Sequence, residues 1–412
     1  YTLSDTLSLH DALPISHGLI DEPAARRGVA TLAAKLLDHD RQRRYPLPEY
    51  MQLSWALTTV GTQLDYDVDE TTTTFTSGGL AMFGDWHLWR LSWLMDQGTY
   101  DHDAIDEFRR DLREVTERAA SPSGRAFTQR LYGADHPYAA PAARKADLLQ
   151  IGQRELNQWR ARNFGMDRAT LIISGGFDPD EMIDRVRTLF SGLPRRATAA
   201  RPVLPPLAPA PGPSWIGTLL ENETQVRLYV SFAAASDRDR DRWARAILAE
   251  IVKDRLRVVR EGMGASYDVS ARYVVGAAGS IFDVITALDP DRAPRAAVAV
   301  LAALASLQGD PTALAADFVR ARRRLVMDSL ATATDASSVA ARVAWAVEHG
   351  GDLKQLNRIT SDLAAVTLEQ VAAVAARDLD PARMVVSVDG RTDPVTATLD
   401  ALGATGVEWF KE

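Results

Sequence analysis

The chain has 412 residues, 46% hydrophobic and 25% charged, a globular balance long enough to bury more than one core. A net charge of −8 argues against nucleic acid as the main partner, and zero cysteines exclude disulfides, thiolate metal ligands and a cysteine nucleophile. No run approaches the roughly 18 apolar residues that a membrane helix needs.

Residues 1–16, YTLSDTLSLHDALPIS, do not read as the start of a natural protein. A secretory signal needs a basic start and an unbroken apolar centre, and Asp5 and Asp11 spoil both. TLSLHDALPI is one reading frame of a common sequencing-adapter oligonucleotide. The segment is therefore read as a translated artefact, expected to pack poorly, with the native N-terminus and its strand missing.

From His17 the pattern becomes regular. Val29, Leu32, Ala33, Leu36 and Leu37 recur at helical spacing within 26–39, and a second helix is expected over 49–61. Residues 64–80 have strand composition, as two antiparallel strands or one long one. A helix over 85–97 carries Trp86, Trp89 and Trp93, whose spacing fits a packed helix face better than a ligand-stacking box. Long helices are expected across 102–120 and near 144–162, then a buried strand within 167–177. Asp178, Pro179 and Glu181 read as cap, first-turn proline and capping-box acid of the next helix. Gly175-Gly176 lacks the Lys-Ser/Thr of a nucleotide loop, so helix capping accounts for it better than phosphate binding.

Residues 195–213 carry six prolines without periodicity and read as a semi-rigid linker. Beyond it the element order repeats: strand 224–232, helix 240–259, a strand pair through 288, helices over 291–307, 312–330, 333–349 and 368–379, strand 383–388 and a last helix. The order matches the first half, and an internal duplication of about 190 residues follows. The arginines at 320 and 322–324 fit the wet face of a helix.

Within the second half, a helix ending near Glu261 breaks at Gly262 and Gly264 and becomes the alternating strand Ser266–Val275, with Tyr267 and Val269 on one face. Arg260 and Tyr267 flank this turn. Both donate hydrogen bonds, a pairing suited to holding a carbonyl or anion. Taken alone, they also fit a surface arginine beside a half-buried strand tyrosine.

Several segments resemble the insulinase/pitrilysin family of zinc peptidases: DEPAARRGVATLAAKLL, LYGADHPYAAP, ATLIISGGFDPDEM, ETQVRLYVSF and LRVVREGMGASYDVSARY. The resemblance runs from His17 to the C-terminus. It implies two tandem α+β domains of the LuxS/metallopeptidase-like fold, over 17–194 and 214–412, each a mixed, largely antiparallel sheet with helices on one face. It also implies a clamshell of two such double domains around a peptide, favouring a periplasmic or cell-envelope setting.

The family's inverted zinc motif, His-x-x-Glu-His, aligns with Thr31, Ala34 and Lys35, so neither imidazole nor the catalytic base is present. Glu107 and Glu114 match the later family carboxylates but cannot hold zinc alone. Arg260 and Tyr267 match a family pair thought to grip the substrate carbonyl and developing oxyanion, where each preorganised donor is worth about 2–4 kcal/mol.

The expectation is a chain without a cofactor of its own: the substrate-clamping half of a peptidase whose zinc sits in a partner half or subunit. The other reading is a catalytically inactive peptide-binding or complex-assembly protein, with Ser266–Val275 or its counterpart Thr71–Ser77 accepting an extended peptide as an added strand. A serine hydrolase site is disfavoured, since no G-x-S-x-G elbow is present.

Overall fold

A computed structural model describes residues 8–37, 63–96, 100, 102–111, 121–140, 142–193, 195, 203–235, 240–262, 264–348 and 352–412. The helix expected over 49–61 and the ends of those expected to reach His39 and Ala120 lie outside the described residues.

In chain order the strands are β1 (Ser8–Ile15), β2 (Gln63–Val68), β3 (Thr73–Leu80), β4 (Ile172–Gly175), β5 (Ser214–Leu219), β6 (Val226–Ala234), β7 (Ser266–Val274), β8 (Ser280–Leu288), β9 (Val385–Gly390) and β10 (Glu408–Lys411). The first half contributes helices α1 (Val29–Leu37), α2 (Gly84–Asp96), α3 (His102–Asp111), α4 (Pro122–Tyr132), α5 (Gln153–Asn163) and α6 (Pro179–Phe190). The second contributes α7 (Arg242–Glu261), α8 (Ala293–Ala305), α9 (Ala315–Ala331), α10 (Ala336–Glu348), α11 (Ile359–Ala365), α12 (Leu368–Asp378) and α13 (Thr392–Ala401).

Two compact units result, and both are discontinuous in sequence. One combines 1–117, 142–202 and 331–357; the other combines 118–141, 203–330 and 358–412. Each therefore borrows a helix: α10 from the second half belongs to the first unit, and α4 from the first half to the second.

The first unit holds a four-stranded antiparallel sheet in the order β2-β3-β1-β4. The expectation that residues 8–15 pack poorly is overturned. β1 pairs with β3 on one side and β4 on the other, setting Leu13 opposite Phe75 and Leu9 opposite Gly175. Its period-2 alternation explains this: Leu13 and Ile15 point into the core with Phe75 and α1, while Ala12 faces Ala340 and Ala344 of α10. The 64–80 segment is the two-strand alternative, a β2–β3 hairpin.

Helix boundaries follow from caps. Glu22 is buried, and its Oε2 and Oε1 accept the N–H groups of Gly28 and Ala30 at 2.9 and 2.8 Å, which starts α1 at Val29. The helix expected over 144–162 is instead broken: a short turn at Lys145–Leu148 ends before Gly152, whose N–H donates to Glu155 at 3.1 Å to open α5. Asp178 caps α6 through the N–H groups of Asp180 and Glu181, with Pro179 in the first turn. Trp93 is buried, and Trp86 stacks on Trp89 at 5.1 Å against the same core, a packed face.

The second unit holds a six-stranded mixed sheet, β10-β5-β9-β6-β8-β7, parallel across β10-β5-β9 and antiparallel beyond. Val230 sits between Val284 and Val386, all fully buried against α7, α8 and α12. On the opposite face Leu131 of α4 meets Ala233 and Val385. The run β7-β8-β6-β9 repeats the order and direction of β2-β3-β1-β4, so the duplication is visible in topology.

Candidate substrate-binding site

The turn between α7 and β7 is built by backbone. α7 is anchored by Arg255, which donates from Nε to Asp317 at 2.9 Å and from Nη1 to Ser306 at 2.6 Å. Lower on the helix, Arg245 and Asp378 form a buried pair at 2.6 Å that ties α7 to α12. After Glu261 the chain reverses through Gly264, whose φ of 55° lies in the left-handed region that favours glycine. Arg292 donates from Nη1 to the Gly264 carbonyl at 2.7 Å, and the Asp289 N–H donates to Ala265 at 2.9 Å.

Arg260 stands in the last turn of α7, where the helix dipole favours a cation, and Tyr267 is the second residue of β7. Their side chains, and that of Glu107 in α3, lie outside the described set, as does all of Glu114. The backbone still adds something alternation did not predict. Ser266 pairs with Leu288 but Val269 with Thr286, so two residues on β7 oppose one on β8. This is a β-bulge containing Tyr267 and Asp268, and the simple alternation linking Tyr267 to the face of Val269 is interrupted. Val269, Ala271 and Tyr273 pack on the core. β7 is an edge of its sheet, whereas Thr71–Ser77 falls largely in β3, between β2 and β1.

α1 presents no metal-binding face at the three motif positions. Thr31 is exposed, Ala34 is buried in the core, and the Lys35 ammonium lies 4.4 Å from the centre of the Phe108 ring, a cation–π contact. A hydroxyl, a methyl and an ammonium do not make a zinc ligand set, so these residues do not fit the metal. Among the described residues no cluster of three or more His, Cys, Asp or Glu side chains is placed to hold a metal ion. At the start of this helix, burial pushes the Glu22 carboxyl above its ordinary value, against the opposing pull of the Gly28 and Ala30 N–H groups and Arg27.

Residues 150–325 match the family described as Peptidase M16 inactive domain, and this segment contains the α7–β7 turn. This segment of the chain is similar to an M16 inactive domain. It is 26% identical over 299 residues to an uncharacterized zinc protease of Mycobacterium leprae (strain TN), an alignment covering 66% of this chain and only 64% of that protein. A solved M16 inactive domain from Pseudomonas fluorescens superposes with a TM-score of 0.78 at 17% identity, covering 93% of both chains. The periplasmic protease PqqL of Escherichia coli superposes with a TM-score of 0.70 at 14% identity, over 93% of this chain but 43% of its own. These structural likenesses concern the fold, and they agree with the α+β architecture of the insulinase/pitrilysin family.

Two residues that shape the α7–β7 turn and the start of α1, Arg292 and Glu22, were not singled out from the sequence. Glu22 lies within the quoted segment DEPAARRGVATLAAKLL but not in its helical periodicity, and only the proline-containing Asp289-Pro290-Asp291 turn hints at Arg292.

Proposed function

We propose that the chain is the non-zinc, substrate-clamping half of an insulinase-family peptidase, hydrolysing peptide bonds only with a zinc-bearing half. The observation that carries this reading is the presence of Arg260 and Tyr267 flanking a hydrogen-bonded turn in a chain whose α1 offers no zinc ligand set. In this role the two side chains donate to the substrate carbonyl and the developing oxyanion, and the other half supplies the metal. The test is co-expression with a zinc-bearing half and a peptide-cleavage assay. Arg260→Ala and Tyr267→Phe should each lower kcat by about tenfold or more; activity untouched by both would refute it.

A second reading is a catalytically inactive peptide-binding or assembly protein. It is favoured by β7 lying at a sheet edge, where an extended peptide adds by main-chain hydrogen bonds. Recovery of a stable complex lacking any zinc peptidase would select it.

A further inference from the structure

A small cavity of about 180 Å³ opens in the first unit, where the segment leading into α1 meets α5. It holds about six waters at liquid density, too little for a drug-sized ligand but enough for a phosphate or a carboxylate group. Its apolar lining comes from Pro23, Val29 and Trp159, and three arginines, Arg26, Arg154 and Arg162, also line it.

Two carboxylates also line it, and both are committed locally. Asp21 accepts the Gly18 N–H at 3.0 Å and lies 3.4 Å from His17 Nδ1. Glu155 accepts the Gly152 N–H at 3.1 Å and Arg154 Nε at 3.3 Å. Arg26 bonds only the Ala25 carbonyl, and Arg162 has no partner among the described residues. Asn163, 9% exposed at the end of α5, likewise has a carboxamide without a partner among the described residues. Among the described residues the lining therefore offers two cations without an ion-pair partner, Arg26 and Arg162, and a nearly buried amide, while both acids are bonded locally.

We propose that this cavity is an oxyanion-binding site, with Arg26 and Arg162 supplying charge-assisted donors and Asn163 an orienting amide N–H. Guanidinium pairs suit the planar or tetrahedral oxygens of carboxylate and phosphate. Two sources offer this chemistry, free phosphate and the C-terminal carboxylate of a peptide. The site lies outside the Arg260 and Tyr267 turn and does not depend on its role.

Isothermal titration calorimetry of the whole chain, in chloride buffer at constant ionic strength, tests it with three probes. These are inorganic phosphate, N-acetyl-dialanine and the C-terminal amide of that dipeptide. Phosphate heat assigns a free-oxyanion site, and heat from the acid but not the amide assigns a terminal-carboxylate site. The double variant Arg26→Gln/Arg162→Gln should weaken binding at least tenfold, and Asn163→Ala severalfold, while Arg187→Gln on α6 leaves it unchanged. The arginine variants carry the test if Asn163→Ala melts early. Absence of heat from phosphate and the free acid, equal binding of acid and amide, or equal loss in Arg187→Gln overturns the proposal.

Discussion

Arg292, the residue before α8, donates its Nη1 hydrogen to the carbonyl oxygen of Gly264 at 2.7 Å. That bond holds the glycine separating Arg260 from Tyr267, so a residue outside the proposed pair bonds to the backbone presenting it. Arg292→Met keeps the stem but removes the donor. Cleavage by the chain paired with a zinc-bearing half should fall severalfold with the melting temperature little changed; unchanged cleavage would show that the turn holds itself.

Gly264→Ala acts on the same turn through the backbone. At a φ of 55° a Cβ costs about 1 kcal/mol, and the added methyl would stand 3.1 Å from Arg292 Nη1. Urea denaturation should therefore show about 1 kcal/mol of destabilisation, and a neutral result would mean the turn relaxes.

The Arg245–Asp378 pair is buried on both sides, at 1% and 5% exposure, and Arg377 adds a 2.8 Å bond to the same carboxylate. Asp378→Asn leaves a guanidinium buried without its counter-charge, which costs about 3–5 kcal/mol when a buried pair is broken. The double variant Arg245→Met/Asp378→Leu should recover much of that loss. A single variant as stable as the parent in urea would contradict this.

Glu22 supplies a pH test. Burial holds its carboxyl above its ordinary value. The sign follows: its contribution is fully present below the unfolded value and is lost as pH rises through the raised folded value. Glu22→Gln should flatten the fall in stability from pH 4.5 upward. Chemical denaturation at several pH values reads this, and parallel curves for parent and variant would exclude it.

Much of the fold was legible because it rests on periodicity and caps. The β2–β3 hairpin, the Asp178 cap and the break at Gly262 and Gly264 all lie in local pattern. β1 was not anticipated as a packed strand because the likeness of residues 1–16 to a translated adapter outweighed the Leu13–Ile15 alternation. β5 and β10 escaped because parallel pairing with β9 draws on partners distant in sequence. Nothing local in Ala336–Glu348 says that this helix belongs to the first unit, and the bulge at Tyr267 depends on its register against β8. The proposed pair Arg260 and Tyr267 was read from a motif. The bond that sets their backbone, from Arg292, was not.

His136 shows what one quoted motif does structurally. Its Nδ1 accepts the Tyr138 N–H at 3.1 Å, so the ring hydrogen sits on Nε2 and is donated to the Pro205 carbonyl at 3.0 Å. His136→Ala removes both bonds and loosens the proline-rich segment 203–210 at Pro205. Limited proteolysis should then cut within 195–213 at least severalfold faster, and an unchanged rate would argue that Ala208 and Ala210, bonded to Tyr132 and Arg130, suffice.

The central claim, that this chain lacks the zinc half of the chemistry, is tested most directly by metal analysis. The purified chain is equilibrated with zinc, desalted and measured by plasma mass spectrometry beside a peptide-cleavage assay. Zinc far below one per chain and no zinc-dependent cleavage are predicted, because Thr31, Ala34 and Lys35 provide no ligand set. One zinc per chain, lost together with activity in Glu107→Gln, would contradict it.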